Sequence, residues 1–436
     1  MPYLSPQMIG FVSIGLLFLM IGLRAPIAIA MIVSGIVGFG WIIGFDVALA
    51  VLETAPLDVA RRYSFTMIPL FLLMGNLAVQ SGLSGDLFTA SRRLLRRWRS
   101  GLPLASVSAC GAFSAVSGSS LATAATMARV AVPEMLSSGY SPRLAAGTLA
   151  AGGTLGIMIP PSIALLLYAL ITEQSVSVMF MAGLIPGVLA FILYCVTVVI
   201  LVKRNPGRTE IASSDNLTIL QAIAKGIPVL VLFLTVMGGL YGGLFTPTEA
   251  AGAGAFLALL FAIYRGMRFS GFVSAVKSSI HTSATIFLII IGAEVFGYLL
   301  SVSQITFELV GFIRDLNLPP WQVLVIILGF FIIFGLFMDS LAIILLTVPI
   351  FYPLIIEVGI DPIWFGILAV VAVEIGLITP PVGMNLFIIR SVAPSISLRD
   401  VMYGTMPFVL ADFVRLAILL LFPALVLILP QWLGIY

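Results

Sequence analysis

Apolar stretches alternate with short polar connections along nearly the whole chain, and most of them have about the length of a membrane-spanning helix. Because a helix needs about 20 predominantly apolar residues to cross the hydrocarbon core, the pattern predicts about ten to twelve crossings and several shorter pieces. The predicted fold is therefore an all-α polytopic membrane protein. The apolar stretches run over 8–23, 26–44, 66–81, 102–138, 143–173, 177–202, 219–241, 246–264, 278–303, 320–357, 362–392 and 400–430.

Two of these stretches, 143–173 and 362–392, are interrupted by a pair of prolines. The first contains GGTLGIMIPPS at 152–162, and the second contains EIGLITPPVGMN at 374–385. A helix cannot continue through either pair, because proline lacks an N–H and clashes with the preceding turn. Irregular backbone at bilayer depth is tolerated only where it is buried in protein or lines a wet cavity. Each stretch is therefore predicted to be a broken helix that forms part of a binding site.

Two other stretches, 102–138 and 320–357, each consist of two apolar segments of about 15 residues. This length is shorter than the roughly 20 residues that a crossing requires. Each stretch is therefore predicted to be a re-entrant helical hairpin. The tips are AVSGSSLA at 115–122 and GLFMDSLA at 335–342.

Composition agrees with a membrane protein. Of the residues, 61% are hydrophobic and 9% are charged, and the mean hydropathy is +1.20, whereas about 25% of the residues in a soluble domain are charged. The net charge of +3 does not indicate nucleic acid as a partner, because the basic residues form short runs between apolar stretches. The partner implied by composition is the lipid bilayer.

The distribution of basic residues predicts the orientation. The strongest basic run is SRRLLRRWR at 91–99, and cytoplasmic loops are enriched in lysine and arginine. Placing this run in the cytoplasm puts most of the 21 lysine and arginine residues on that side and the N-terminus in the periplasm. A short amphipathic segment precedes each hairpin, at 86–98 and 304–316. Each is predicted either as a helix in the membrane interface or as an ordinary loop helix.

The chain also repeats itself. The predicted first repeat covers 1–208, a polar joint covers 209–218, and the second repeat covers 219–436. In the predicted orientation the two repeats are inverted with respect to the membrane, which together with broken helices is typical of secondary transporters. At an offset of 220 the matching residues are Ser120 and Ser340, Leu121 and Leu341, Pro133 and Pro353, Gly139 and Gly359, Pro142 and Pro362, Gly156 and Gly376, Pro160 and Pro380, and Pro161 and Pro381; at 221 they are Pro26 and Pro247, Gly183 and Gly404, and Pro186 and Pro407.

The first hairpin tip and the first break predict a cation site. The carbonyl groups that end a half-helix can coordinate a small hard cation, and the hydroxyl groups of the tip add further oxygens. The alternative for SGSS is a set of small residues that permits tight helix packing. The predicted cation-binding residues are Ser114, Ser117, Gly118, Ser119, Ser120, Gly153, Thr154, Gly156 and Pro160.

The second tip and break predict a similar site with a charge. Asp339 is the most informative residue, since an ionisable group inside the membrane is a functional candidate by default. It is predicted to bind sodium or to accept a proton, and oxygen-only surroundings favour sodium. The predicted cation-binding residues are Gly335, Asp339, Ser340, Gly376, Thr379, Pro380 and Asn385.

An anionic substrate is predicted to lie between the two cation sites, because helix N-termini attract anions. Arg129 is either a partner for a substrate carboxylate or a side chain that snorkels to the cytoplasmic face. Glu249 and Glu294 are predicted to be interfacial or interhelical hydrogen-bonding groups. The predicted substrate-binding residues are Ser119, Ser120, Arg129, Pro161, Ser162 and Pro381.

Enzyme classes are disfavoured by missing motifs. The sequence has no G-x-x-x-x-G-K-[ST] for ATP, and its single histidine excludes an H-E-x-x-H zinc protease. The AVSG at 115–118 lacks the leading glycine of a serine protease element. A channel remains an alternative, because broken half-helices also build channel sites. Two unlike sites on inverted hairpins favour a transporter with alternating access, and not an enzyme.

The chain resembles the large membrane subunit of the tripartite ATP-independent periplasmic (TRAP) transporters, the DctM-like family. The resemblance covers essentially the whole chain, with several long segments in the same order. The segments are SGSSLATAATMARVAVPEM at 117–135, GGTLGIMIPPS at 152–162, GLFTPTEAA at 243–251 and TPPVGMNLF at 379–387.

This resemblance implies an elevator-type symporter of the ion-transporter superfamily in the bacterial inner membrane, with no cofactor and with sodium as the coupling ion. It implies that a soluble periplasmic binding protein delivers an organic anion and that a small four-helix membrane subunit, a separate chain, packs against this one. The family's sodium sites correspond to the serine tip with the break at 152–161, and to Asp339 with 379–385. The family pattern has a small or uncharged residue where this chain has Arg129. A self-sufficient anion transporter without a binding protein is the alternative.

Overall fold

The helices of this protein are numbered α1 to α19 in chain order. The computed structural model describes residues 4–98, 100–204, 218–308, 311 and 318–434, and all regular secondary structure in these residues is helical. The first half contains α1 (Pro6–Gly22), α2 (Ile27–Ile43), α3 (Phe45–Arg61), α4 (Met67–Gln80), α5 (Leu83–Leu95), α6 (Gly101–Ser117), α7 (Ser120–Ser137), α8 (Pro142–Met158), α9 (Ile163–Ile171) and α10 (Val176–Arg204).

The second half continues with helices of similar length. The first of them, α11, contains a π-helical turn at Leu234–Gly238. The helices are α11 (Ile219–Tyr241), α12 (Pro247–Tyr264), α13 (Phe269–Ser303), α14 (Pro320–Gly335), α15 (Ser340–Glu357), α16 (Pro362–Ile378), α17 (Met384–Val392), α18 (Leu398–Leu421) and α19 (Ala424–Trp432).

Helix starts follow local sequence signals. A side-chain oxygen at the N-cap accepts a hydrogen bond from a backbone N–H of the first turn, which compensates one of the donors that the helix leaves unpaired. Proline often follows at the first helical position, where its missing N–H has no consequence. The capping residues of this kind are Ser5, Ser119, Ser141, Ser162, Ser175, Thr218, Thr246, Asp339, Asp361 and Ser397.

Eight helices in the described part of the chain are long and apolar enough to cross a membrane, and five shorter apolar helices accompany them. The chain is a multi-pass all-α membrane protein, so the predicted fold class is confirmed at this level. The depth of the hairpins in the bilayer and the inverted repeat remain predictions.

The two broken helices lie at the centre of the protein. In α8 every residue from Leu144 to Met158 is buried, and α16 is buried from Phe365 to Ile378. Both are apolar on all sides, which is typical of a helix that is enclosed by others. Helix α8 packs against α6, α7, α10 and α18, and α16 packs against α14, α15 and α18. Helices α1, α2, α4, α12 and α13 form a second group that packs mainly within itself.

The structure differs from the sequence-based expectation at three places. Phe45–Arg61 forms a helix, α3, where no element is predicted. Its four charged residues lower the average hydropathy of this segment, although one apolar side of the helix packs against α2 and α13. The stretch 400–430 is split after Leu421, since Pro423 lacks an N–H and cannot continue α18. The amphipathic helix of the first half starts at Leu83 and ends at Leu95.

Two predicted segments fall largely outside the described residues. They are the polar joint at 209–218, of which Thr218 alone is described, and the second amphipathic segment at 304–316, of which 304–308 and 311 are described.

Candidate functional site

The tip of the first hairpin touches the first helix break. Helix α8 ends at Met158 and α9 begins at Ile163, so the prolines lie in the gap between them. The carbonyl of Gly118, at the tip, accepts a hydrogen bond from the backbone N–H of Ile163 at 3.3 Å. Gly118 has φ +60°, and a Cβ there would lie 2.8 Å from the carbonyl oxygen of Pro161. Glycine is needed for both reasons.

The same tip packs against the last turns of α8. A Cβ on Gly156 would lie 2.6 Å from the carbonyl oxygen of Ser119 and 2.8 Å from Oγ1 of Thr123. The backbones of α7 and α8 can approach this closely only because Gly156 has no side chain. Gly153, one turn earlier, faces Ala124 of α7.

Neutral oxygens surround this first contact. Ser117 Oγ and Thr123 Oγ1 are 2.6 Å apart and share a hydrogen bond. Ser119 Oγ accepts from the N–H of Ala122, which caps α7. Ser162 Oγ donates to the carbonyl of Ile157, inside the break, and accepts from Leu165 N–H at 3.3 Å. Hydroxyl and carbonyl oxygens of this kind suit a hard cation with no charged ligand.

Asn385 belongs to this first site, although it follows the second break in the sequence. Its Nδ2 donates to Ser120 Oγ at 2.8 Å and to the carbonyl of Ala150 in α8 at 3.1 Å. Its side chain is fully buried. The sequence groups Asn385 with Asp339, whereas its amide contacts the first hairpin and α8. The segment after the second break is thus joined directly to the first hairpin.

The second break contacts the second hairpin in a different way. Helix α16 ends at Ile378 and α17 begins at Met384. A Cβ on Gly376 would lie 2.5 Å from Cα of Gly335, the last residue of α14. Gly376 therefore meets the first arm of its hairpin, whereas its counterpart Gly156 meets the second arm and the tip. The glycines before the two breaks thus contact their hairpins in different ways.

Asp339 carries the charge of the second tip. It is partly buried and caps α15, and its Oδ1 accepts from the N–H of Ala342 at 3.0 Å. Thr379 lies at the break, where its hydroxyl donates to the carbonyl of Ile375 at 2.5 Å. Pro380 is partly buried and Pro381 is exposed. Ser340, next to Asp339, is buried.

Three predicted site residues direct their side chains elsewhere, although the carbonyl of Ser114 accepts from Gly118 N–H at the tip at 3.2 Å. Ser114 Oγ donates to the carbonyl of Cys110 within α6. Thr154 turns towards α10, where its hydroxyl is 2.9 Å from that of Tyr194. Arg129 is exposed on α7, nine residues after Ser120 and thus roughly 13 Å along the helix from it. Arg129 therefore lies away from the first tip.

A buried group of ionisable residues escaped the sequence analysis as a unit. Glu374, Asp412 and Arg415 are each 0% exposed. Arg415 Nη2 lies 2.5 Å from Glu374 Oε2 and 3.0 Å from Asp412 Oδ1. Each of these ionisable residues lies within an apolar stretch, and this position alone makes each one a candidate functional residue. The spacing of three residues pairs Asp412 with Arg415 on one helix, but nothing in the sequence joins them to Glu374.

The other two glutamates have ordinary roles, as predicted. Glu249 forms a capping box with Thr246 at the start of α12. Glu294, in α13, forms an ion pair with Arg62 at 2.8 Å.

Comparison with known proteins places this architecture in a family. The family model described as "Tripartite ATP-independent periplasmic transporter, DctM component" matches residues 14–425. The chain belongs to this family. The match confirms that the chain is a TRAP large permease subunit, as its sequence motifs indicate.

Two relatives and one solved structure extend this result. The permease is 38% identical over 383 residues to the C4-dicarboxylate TRAP transporter large permease protein DctM of Pseudomonas aeruginosa, covering 86% of this chain and 88% of that one. It is 31% identical over 417 residues to the 2,3-diketo-L-gulonate TRAP transporter large permease protein YiaN of Escherichia coli, covering 95% and 97%. Its fold is similar to the crystal structure of the Alcanivorax borkumensis YdaH transporter, with TM-score 0.57, 16% identity and coverage of 83% and 86%.

The contact of Gly376 with Gly335 yields a prediction for this permease. We expect Gly376→Ala to lower the amount of folded protein and to reduce transport by at least about tenfold, because a methyl group would push α14 away from the break at a cost of about 1–3 kcal/mol. Gly329→Ala in the same α14 is the matched control, since nothing lies within 4 Å of its Cβ position. Equal transport by the two variants would show that the close approach is unimportant.

Proposed function

We propose that this TRAP permease subunit imports an organic acid together with sodium ions. The observation that carries the proposal is the pair of helix breaks, the first in contact with its hairpin tip and the second preceded by a glycine, Gly376, that contacts the first arm of its hairpin at Gly335. Neutral oxygens surround the first contact, and the Asp339 carboxylate is the capping group of the second. Two cation sites of similar backbone and unequal charge would result.

Sodium suits the oxygens that these segments provide. Half-helix C-terminal ends and unwound carbonyls coordinate sodium in transporters with discontinuous helices. Here α8 ends at Met158, next to the first hairpin tip, and α16 ends at Ile378, two residues after the glycine that contacts Gly335 of the second hairpin. The proposed ligands of the first site are the hydroxyls of Ser117 and Thr123 with backbone carbonyls of the tip and the break. Those of the second are Asp339, Thr379 and carbonyls after Ile378.

An anionic substrate would lie between these sites. Four helices, α7, α9, α15 and α17, begin at a tip or a break. Their N-termini are the positive ends of the helix dipoles and therefore favour an anion. Ser120 and Asn385 add a hydroxyl and an amide at the junction of the two halves. The names of the two relatives point to a C4-dicarboxylate and a sugar acid. A carboxylate is therefore the substrate class that we propose.

The different arrangement of the two halves supports an elevator mechanism. The hairpins and broken helices would form the moving part, and α1, α2, α4, α12 and α13 the scaffold. Helix α5 would connect the two parts. Its Asp86 pairs with Lys225 of α11 and with Arg265 after α12, while its Arg92 pairs with Glu134 of α7 at 2.8 Å.

The proposed partners are a small four-helix membrane subunit and a soluble periplasmic binding protein that delivers the acid. The proposed location is the bacterial inner membrane, with the N-terminus in the periplasm. The predominance of basic residues on the predicted cytoplasmic side supports this orientation.

Reconstitution in liposomes tests the proposal. The permease and its small subunit would be reconstituted with the binding protein encoded beside them, and uptake of radiolabelled succinate and of sugar acids would be measured. We expect uptake to require the binding protein and an inward sodium gradient. Undiminished uptake without the binding protein would refute the tripartite mechanism. Uptake that is unaffected when choline replaces sodium would refute sodium coupling.

A further inference from the structure

A continuous line of polar contacts runs through the buried centre of the protein. Arg415 Nη2 contacts both Glu374 and Asp412, at 2.5 Å and 3.0 Å. The Tyr194 hydroxyl donates to Asp412 Oδ2 at 2.7 Å, and Thr154 Oγ1 lies 2.9 Å from that hydroxyl. All four helices that carry these residues, α8, α10, α16 and α18, pack against one another.

Both ends of this line are close to a helix break. Thr154 lies in the last turn and a half of α8, which ends at Met158. Glu374 occupies the same place in α16, which ends at Ile378. Two residues after each of them comes the glycine that contacts the hairpin, Gly156 or Gly376. A shift of either half-helix therefore moves one end of the line.

The internal repeat explains why the line is nearly symmetric. Thr154 and Glu374 are counterparts at the offset of 220, and Tyr194 and Arg415 are counterparts at the offset of 221. Thr154 contacts Tyr194 in the first half as Glu374 contacts Arg415 in the second. Asp412 joins the two pairs, because it accepts a hydrogen bond from Tyr194 and forms an ion pair with Arg415.

Arg415 also has unused hydrogen-bonding capacity beside Glu374. Within the described residues, Nε and Nη1 of Arg415 and Oε1 of Glu374 make no hydrogen bond. Asp412 Oδ1 also lacks a hydrogen bond within these residues. A guanidinium presents five N–H donors, so these groups are free to form further hydrogen bonds when either half-helix shifts.

We propose that this line couples the two helix breaks, with Tyr194 as the positioning residue that links the halves. The proposal rests on sodium binding at the breaks, as proposed above. A cation at one break fixes the end of its half-helix. Because the polar contacts join that half-helix to the other one, they restrict the position of the other half-helix as well. Binding at one site then favours binding at the other.

Titration of the purified permease in detergent with ²²Na⁺ tests the coupling, with choline chloride keeping the ionic strength constant. Unmodified protein is expected to bind sodium with a Hill coefficient above 1. In Tyr194→Phe the Hill coefficient is expected to fall to 1, and the half-saturating concentration to rise about threefold or more, as loss of a typical coupling energy implies. Tyr168→Phe is the matched control, because Tyr168 is equally buried and its hydroxyl also crosses between the halves, donating to the carbonyl of Pro362 at 2.6 Å.

The outcomes separate the coupling from the proposed function. Failure of the unmodified protein to bind sodium would overturn both. Sodium binding with a Hill coefficient of 1 in the unmodified protein, or an unchanged coefficient in Tyr194→Phe, would overturn the coupling alone. If Tyr194→Phe does not fold, Thr154→Val, which removes the next hydroxyl of the line, decides by the same criterion. Combining the two variants is expected to add nothing beyond either one.

Discussion

Replacing Asp339 with asparagine is expected to lower sodium-driven uptake by at least about 100-fold while the purified protein stays folded. Asparagine caps a helix about as well as aspartate, so the hydrogen bond from Ala342 N–H, now 3.0 Å long, should persist. The carboxylate charge is lost. Even at an effective dielectric constant of 20, a cation about 4 Å from a carboxylate gains about 4 kcal/mol, which is far more than a tenfold effect on binding. Uptake in proteoliposomes and thermal unfolding in detergent are the two measurements.

Asp361→Asn is the matched control for this variant. Asp361 caps α16 through a hydrogen bond of 2.8 Å from Trp364 N–H, and it lies far along the chain from either tip. We expect uptake by Asp361→Asn to stay within about twofold of the unmodified protein, since the capping change is worth only tenths of a kcal/mol. Asp339→Ser, which copies the residue at the equivalent position of the first tip, should be as inactive as Asp339→Asn. Sodium-dependent uptake at the normal rate in either Asp339 variant would refute the role of the charge.

Replacing Arg415 with glutamine should destabilise the protein by about 3–5 kcal/mol. The variant keeps the carboxyl groups of Glu374 and Asp412, both 0% exposed, but has no positive charge beside them. Replacing Glu374 with glutamine should cost no more than about 1 kcal/mol. In that variant Arg415 keeps its ion pair with Asp412 at 3.0 Å, and a neutral amide is much easier to bury than a second carboxylate. We therefore expect Arg415→Gln to lose more stability than Glu374→Gln, because the buried cluster has two acidic groups and only one basic group.

Thermal and denaturant unfolding of the purified variants would measure this difference. Arg62→Gln is the control, because Arg62 also pairs with a glutamate at 2.8 Å but is 53% exposed. Exposed pairs contribute about 0–1 kcal/mol. Equal stability of Arg415→Gln and Arg62→Gln would contradict the view that Arg415 neutralises a dry acidic pair.

Much of the helical framework could be predicted because its causes are local. A proline pair ends both α8 and α16, because proline cannot continue a helix. Ser162, before the helix that follows the first break, is a strong capping residue. The tips at Gly118 and Asp339 are predictable for the same reason. Helix α3 is the exception, because a helix that is apolar on one side and carries several charges resembles a polar connection when hydropathy is averaged along the chain.

The site was predicted less well, because its contacts join distant parts of the chain. Asn385 follows the second break, and proximity in sequence assigned it to Asp339, but its partners are Ser120 and Ala150. Thr154 is adjacent to Gly153, yet successive positions on a helix point in directions that differ by about 100°. One therefore faces α7 and the other faces Tyr194 of α10.

The sequence by itself determined the class of protein, the position of both helix breaks and both tips, and the family. These follow from composition, proline chemistry and capping, which act over a few residues. Only the tertiary structure decided which residues meet at the breaks and that Glu374, Asp412, Arg415 and Tyr194 form one buried line. Apart from the Asp412–Arg415 pair, which lies within α18, those contacts depend on the packing of different helices, α10, α16 and α18. Periodicity along a single helix carries no information about its neighbour.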